Sequence, residues 1–207
     1  MENKSSNGIL CVMIKAILFD VDGLVIEARK QFFSEKLAEE QGISNDVVTE
    51  FFRGNFKKCT FGQADLKEEI APFLPKWKWE GSVDELLTYW FESESTKDEA
   101  VLDIVTALRD KGIKCFITTR QEKYRLEYLL ENVGLKDYFD GAFCTCDIGY
   151  DKNDPEFYKY ILKELNFEPS EILFFDDTQA NVDTAQDLGI EAYFYEGLET
   201  LKAHTEI

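Results

Sequence analysis

The sequence predicts an α/β protein, a doubly wound and mostly parallel sheet with an all-helical segment inserted after its first strand. Three observations carry that reading. Short β-favouring apolar runs recur at 14–19, 114–118, 171–175 and 191–195, with a weaker one at 141–144. They are continuous rather than alternating, the pattern of strands covered on both faces. Helical periodicity fills most of the gaps between them, and strand alternating with helix is the signature of a doubly wound sheet.

Taken in order, the run at 14–19 is the first strand, and the chain then departs from the alternation. Residues 28–94 read only as helices, at 31–41, 45–56, 63–73 and 82–91, and they are rich in aromatic side chains. Most of those rings are expected to form the core of a small bundle. An insertion directly after the first strand sits above that strand's C-terminal end, where α/β folds bind ligands. Residues 28–94 therefore read as a cap, and 1–27 with 95–207 as the core domain. Trp77 and Trp79, in the irregular KWKWE stretch, are the rings best placed to face a substrate, although packing within the bundle is the favoured reading for them as well. Beyond the cap, the stretch 98–111 places Val101, Ile104, Val105 and Leu108 on one helix face and stops at Gly112. Helices at 122–133 and 178–188 end at Gly134 and Gly189, and the helix at 155–165 opens with Pro155 in its first turn.

Composition narrows the chemistry. The 207 residues include 41 acids against 23 bases, a formal charge of -18. Such a surface repels phosphate backbones and anionic membranes, so neither nucleic acid nor a membrane is an expected partner. The chain has one histidine, His204, which argues against Ser-His-Asp and Cys-His catalysis and against multi-histidine zinc sites. Chemistry must then run on carboxylates, hydroxyls, lysines or a hard metal. The five cysteines read as reduced, mostly buried thiols of a cytoplasmic protein. Cys144 and Cys146 make a C-x-C pair that no second pair or nearby histidine completes into a zinc set. Residues 1–12 read as a dispensable extension rather than a signal peptide, and no stretch approaches the ~20 apolar residues of a membrane span.

The polar residues at strand ends carry the chemistry. The first strand runs into Asp20-Val21-Asp22-Gly23, which alone suits a turn as well as a site. The second runs into Thr118-Thr119-Arg120, the third leads to Asp151 and Lys152, and the fourth ends in Asp176-Asp177-Thr178. Each has an ordinary explanation: a strand end, a solvated cation, a helix cap. Four such sets at the C-terminal edge of one sheet are better explained together.

Together these motifs resemble the haloacid dehalogenase superfamily, in its phosphatase branch with a helical cap after the first strand. The resemblance runs from about Ile14 to Tyr195 through FDVDG, CFITT, DKNDPEFY and FFDDTQAN, with Phe61-Gly62-Gln63-Ala64 similar to a turn in the family's caps. It implies a phosphomonoester hydrolase that works through an aspartyl-phosphate with Mg²⁺, which suits the hard oxygen ligands. Under the resemblance Asp20 attacks phosphorus and binds the metal, while Asp22 is the general acid and base and reaches the metal through its carbonyl. Thr119 and Lys152 hold the phosphoryl oxygens, Asp177 completes the metal site, and Asp176 supports it. The chain departs from the family pattern at Arg120, where an asparagine is usual, and at Asn153, where a proline commonly follows the lysine. Arg120 becomes a candidate for binding a second anionic group of the substrate, its alternative being a surface pair with Glu122 or Asp147.

A phospho-receiver domain fails on order, because its acceptor aspartate follows the third strand rather than the first. A phosphomutase of the same superfamily shares every core residue and stands as the alternative, as does a non-catalytic binding or signalling protein on this fold. A dehalogenase would have no use for Asp22. The expected partner is a small phosphate monoester, and the expected assembly a monomer or homodimer.

Overall fold

The computed structural model describes residues 13–205. The proposed extension at 1–12 lies outside them. The chain runs β1 (Ala16–Phe19), α1 (Phe33–Gln41), α2 (Asn45–Arg53), α3 (Phe56–Thr60), α4 (Leu66–Ile70), α5 (Val83–Ser93) and α6 (Glu99–Asp110). It continues β2 (Lys114–Thr119), α7 (Lys123–Glu131), β3 (Gly141–Cys144), α8 (Thr145–Ile148), α9 (Pro155–Leu165), β4 (Ile172–Asp176), α10 (Gln179–Asp187), β5 (Glu191–Phe194) and α11 (Leu198–Thr205).

The five strands form one parallel sheet in the order β3-β2-β1-β4-β5. All four residues of β1 are buried, as a central strand covered on both sides requires. Ile17 and Phe19 join an apolar cluster with Val101, Val105 and Leu108 of α6. Ala16 and Leu18 point the other way, into a cluster with Phe157 and Ile161 of α9 and Val182 of α10. The two-residue period of the strand thus feeds two cores with one unbroken apolar run. Phe19 is level with Ile117 of β2 and Phe175 of β4. The next residues along, Asp20, Thr118 and Asp176, therefore leave the sheet side by side.

Helices α1 to α5 share a third apolar cluster containing Phe33, Phe51, Trp77 and Trp90. Their rings pack mostly edge to face, as between Phe51 and Trp77 at 5.9 Å and between Phe52 and Trp90 at 5.2 Å. Trp77 is wholly buried and its indole N–H donates to the Val47 carbonyl. Trp79 packs at a tilt against Tyr89, with ring centroids 5.6 Å apart, and donates to the Ser82 carbonyl. Neither ring lines the cavities at the sheet edge, so the packing reading of the KWKWE stretch holds over the substrate-facing one. An indole has one N–H, and both find it a partner inside the bundle.

Element ends differ from the sequence reading for local reasons. The expected helix 45–56 breaks at Gly54, and α3 forms as a separate short helix after it. The expected helix 63–73 shrinks to α4 followed by a 3₁₀ turn at Ala71–Phe73, where Pro72 removes an amide donor. The short α8 and the terminal α11 have too few periodic apolar positions to stand out in the sequence. Among the described residues, no helix is long and apolar enough to cross a membrane.

Candidate active site

Asp20 begins where β1 ends. Its amide still bonds to the Phe175 carbonyl at 3.0 Å, and its Oδ1 accepts from the Val21 amide at 2.7 Å and from Lys152 Nζ at 2.6 Å. Lys152 Nζ makes a second 2.6 Å ion pair with Asp176 Oδ2 and a longer bond to the Thr118 carbonyl. The other oxygen of Asp176 accepts from the Thr178 amide and from Asn181 Nδ2, which holds that carboxylate rigidly at the start of α10. Lys152 is placed without a following proline. Asp151 Oδ1 accepts the Lys152 amide, and Asp154 caps α9 just beyond.

The chain reverses after Asp20 through a turn at Gly23, whose φ of 83° suits glycine. A Cβ at this position would lie 2.5 Å from Asp177 Oδ2, so glycine also makes room for that carboxylate. The turn brings Asp22 back beside the sheet edge. Its Oδ2 accepts from Gln121 Nε2 at 2.6 Å and pairs with Arg29 at 2.7 Å, while its Oδ1 is buried without a partner. Thr119 Oγ1 is likewise buried and unpartnered. Two buried oxygens with no partner among the described residues, on side chains that line the same cavity, carry a desolvation cost that a ligand would relieve.

Carboxyl oxygens of Asp20, Asp176 and Asp177 lie within 4.8 Å of one another. Two like charges near 4 Å cost about 4 kcal/mol at an effective dielectric near 20. Burial pushes Asp20 up to about 7 against the pull of Lys152, with Asp176 adding to the rise. Burial and then Asp176 also raise Asp177. Desolvation disfavours the Lys152 ammonium, but the charges of Asp20 and Asp176 outweigh it and hold the ammonium on. Three carboxylates around one ammonium leave an excess of negative charge made of hard oxygen donors. That donor set fits a hard divalent cation.

Of the residues singled out from sequence, Asp20, Asp22, Thr119, Arg120, Lys152 and Asp177 line one cavity of about 490 Å³, with Asp176 buried behind it. Arg120 pairs with Asp151 at 2.6 Å rather than with Glu122 or Asp147. Glu122 is committed elsewhere, accepting the amides of Tyr124 and Arg125 as the cap of α7. A second cavity of about 500 Å³ adjoins the first and is lined by Phe32, Phe52, Phe56, Trp90 and Arg125. Asp22, Arg29, Phe32 and Arg120 line both.

Sequence reasoning missed four residues here. Arg29 bridges Asp22 and Glu94, Gln121 fixes Asp22, and Asn181 fixes Asp176. Asn181 follows Asp176 by five residues, the reach from a strand end to the first turn of the next helix, and that spacing was a usable signal. Arg29, Gln121 and Glu94 carried none.

The profile of the haloacid dehalogenase-like hydrolases matches residues 14–189. The chain belongs to this family. Among its relatives is D-ribitol-5-phosphate phosphatase of Bacteroides thetaiotaomicron, 23% identical over 192 residues that cover 87% of this chain and 91% of that one. The phosphorylated carbohydrates phosphatase of Thermotoga maritima is 25% identical over 188 residues, covering 87% and 84%. A crystal structure of a haloacid dehalogenase family enzyme from Bacteroides thetaiotaomicron superposes with a TM-score of 0.79 at 21% identity, covering 92% of this chain and 98% of that one. That enzyme has also been solved with magnesium and inorganic phosphate, in a form that superposes with a TM-score of 0.75 at 21% identity over 88% of this chain and 94% of its own. The superposition shows a shared fold over most of this chain.

Proposed function

We propose that this haloacid dehalogenase-like hydrolase is a Mg²⁺-dependent phosphatase that cleaves a small phosphate monoester through an aspartyl-phosphate on Asp20. The observation that carries the reading is the convergence of the Asp20, Asp176 and Asp177 carboxylates beside the unpartnered hydroxyl of Thr119. Asp20, Asp177 and the Asp22 carbonyl would hold Mg²⁺, with Asp176 in support. When bound, the ion offsets the repulsion between these carboxylates and the phosphate dianion.

In this reading a carboxyl oxygen of Asp20 forms the new bond to phosphorus as the ester P–O bond breaks. Asp22 gives its proton to the departing alkoxide. It then takes a proton from the water that attacks the aspartyl-phosphate, which frees inorganic phosphate and restores Asp20. The unequal treatment of the Asp22 oxygens supports that role: Arg29 and Gln121 anchor Oδ2, while Oδ1 is left to exchange a proton. Thr119 Oγ1 and Lys152 Nζ would bind the transferring oxygens.

Residues 28–94 act as the cap, and the aromatic cavity between them and α7 receives the organic part of the ester. The names of the two curated relatives, which act on D-ribitol 5-phosphate and phosphorylated carbohydrates, make polyol and sugar phosphates the first compounds to assay. A panel of phosphate monoesters, assayed for phosphate release with and without Mg²⁺, tests the proposal. Release is expected only with the metal, abolished by EDTA and restored by excess Mg²⁺. Undiminished release from a thoroughly chelated sample contradicts the metal role, and isomerisation of a hexose 1-phosphate without phosphate release returns the mutase.

A further inference from the structure

The C-x-C pair at the end of β3 takes no part in the proposed hydrolysis, and its geometry is unusual. Cys144 Sγ and Cys146 Sγ lie 3.0 Å apart. Side chains two residues apart diverge in a helix and stand roughly two residue-rises apart on a strand. Here Cys144 keeps an extended backbone as the cap of α8 while Cys146 falls in that helix's first turn, and the change of direction folds the two sulfurs together. We propose that Cys144 and Cys146 are a redox-active dithiol, closed to an intrachain disulfide by a small disulfide such as oxidised glutathione, and that closure loosens the seam between residues 60–62 and α8.

Cys144 is buried, whereas Cys146 is only half-buried and is the sulfur a reagent can reach. The hydrogen bond from the Cys146 thiol, with the Cys146 amide, lowers the Cys144 thiol below its ordinary value, and the same bond together with burial raises Cys146, so the first proton lost by the pair is that of Cys144. Cys59 and Cys115 differ in their surroundings: each donates to a backbone carbonyl rather than to a second sulfur, and burial pushes them up to about 11 and about 12. In the first step Cys144, as the thiolate, takes the Cys146 proton across the 3.0 Å contact while the Cys146 sulfur attacks the small disulfide, and the expelled thiolate then takes that proton and leaves as a thiol. In the second, Cys144 attacks the mixed disulfide and expels the other. Overall two protein thiols become one disulfide, the small disulfide becomes two thiols, and no other oxidant is needed.

The pair sits at a tight contact. Cys144 donates to the Gln121 carbonyl at 3.1 Å, and Thr145 Oγ1, between the two cysteines, donates to the Thr60 carbonyl at 2.7 Å. Gly62 presses so closely on this turn that a Cβ there would lie 2.2 Å from the Cys146 carbonyl oxygen. A covalent S–S bond removes the S–H donor from Gln121 and pulls the first turn of α8 inward, and the contacts to Thr60 and Gly62 have no slack to follow.

The test uses the whole protein in a series of glutathione buffers of rising oxidised fraction, with peptide mass mapping and hydrogen–deuterium exchange. The expected result is a peptide containing Cys144 and Cys146 that loses two hydrogens, reverts with dithiothreitol, and is accompanied by faster exchange across residues 56–66. Cys146→Ser should show neither change, and Cys115→Ser should show both. A stable glutathione adduct on Cys146 without closure overturns the proposal, as does a closed disulfide that leaves exchange at 56–66 unaltered. Neither readout depends on phosphatase activity.

Discussion

Thr119 carries the most discriminating single test among the site residues, because its hydroxyl is buried and has no hydrogen-bond partner among the described residues. Thr119→Val keeps the shape and discards an unpaired polar atom, so the thermal midpoint should hold or rise slightly. If the hydroxyl binds a phosphoryl oxygen, kcat/KM should fall by about 1.5–3 kcal/mol, the worth of a hydrogen bond to a charged group. A structural hydroxyl would give the reverse pattern, lower stability with unchanged turnover. Asp20→Asn should abolish turnover in a protein that melts normally, since the amide oxygen can still accept from Lys152 but cannot act as the nucleophile. Asp20, Asp22, Thr119, Lys152, Asp176 and Asp177 were legible because each stands at, or one loop beyond, a strand end. Gln121 was not, because its bond to Asp22 spans 99 residues of chain and depends on the turn at Gly23.

At the scale of elements, α7 joins the core to the helical segment. Asp65, capping α4, accepts from Lys123 at 2.6 Å and Tyr124 at 2.8 Å, and Arg125 donates to the carbonyls of Phe91 and Glu94. The cap of α7 is Glu122, which is almost wholly buried, and burial pushes it up to about 7. The folded protein thus holds the Glu122 proton more tightly than the unfolded chain, where the ordinary value is about 4.5. Its contribution to stability is full below pH 4.5 and is lost as pH rises through about 7. By the linkage constant that is roughly 3 kcal/mol at most. Denaturant melts at pH 5 and pH 8 should show a smaller pH difference in Glu122→Gln than in wild type; equal differences would show that Glu122 does not titrate in this window. Periodicity was enough to find α1, α5, α6 and α9 here. It could not say which rings of a bundle face inward, and so it left a substrate-facing reading open for Trp77 and Trp79, whose N–H groups are satisfied within their own cluster.

Across the whole molecule, a chain of net charge -18 gathers Lys152, Arg29 and Arg120 around one cavity at the crossover edge of its sheet. The strand order β3-β2-β1-β4-β5 is what makes this possible, since β1 lies between the two strands that deliver Thr119 and Asp176. Class and layering were readable from continuous apolar runs separated by amphipathic helices. The seam with the helical segment was not, because it is built from single residues such as Asp65, Thr60 and Arg125 on elements distant in sequence. The central claim is that phosphate passes through Asp20, and it is tested most directly by trapping. Asp22→Asn keeps the nucleophile and loses the proton transfer, typically worth about 10²–10⁴-fold. 4-Nitrophenyl phosphate has a leaving group that needs little protonation. Mixing the two with Mg²⁺, quenching in acid and mapping the peptides by mass should find one phosphoryl group on the peptide that contains Asp20, accumulating faster than phosphate is released. Steady phosphate release with no phosphorylated peptide, in a protein whose Asp20→Asn variant retains near-wild-type turnover, would contradict the account at its centre.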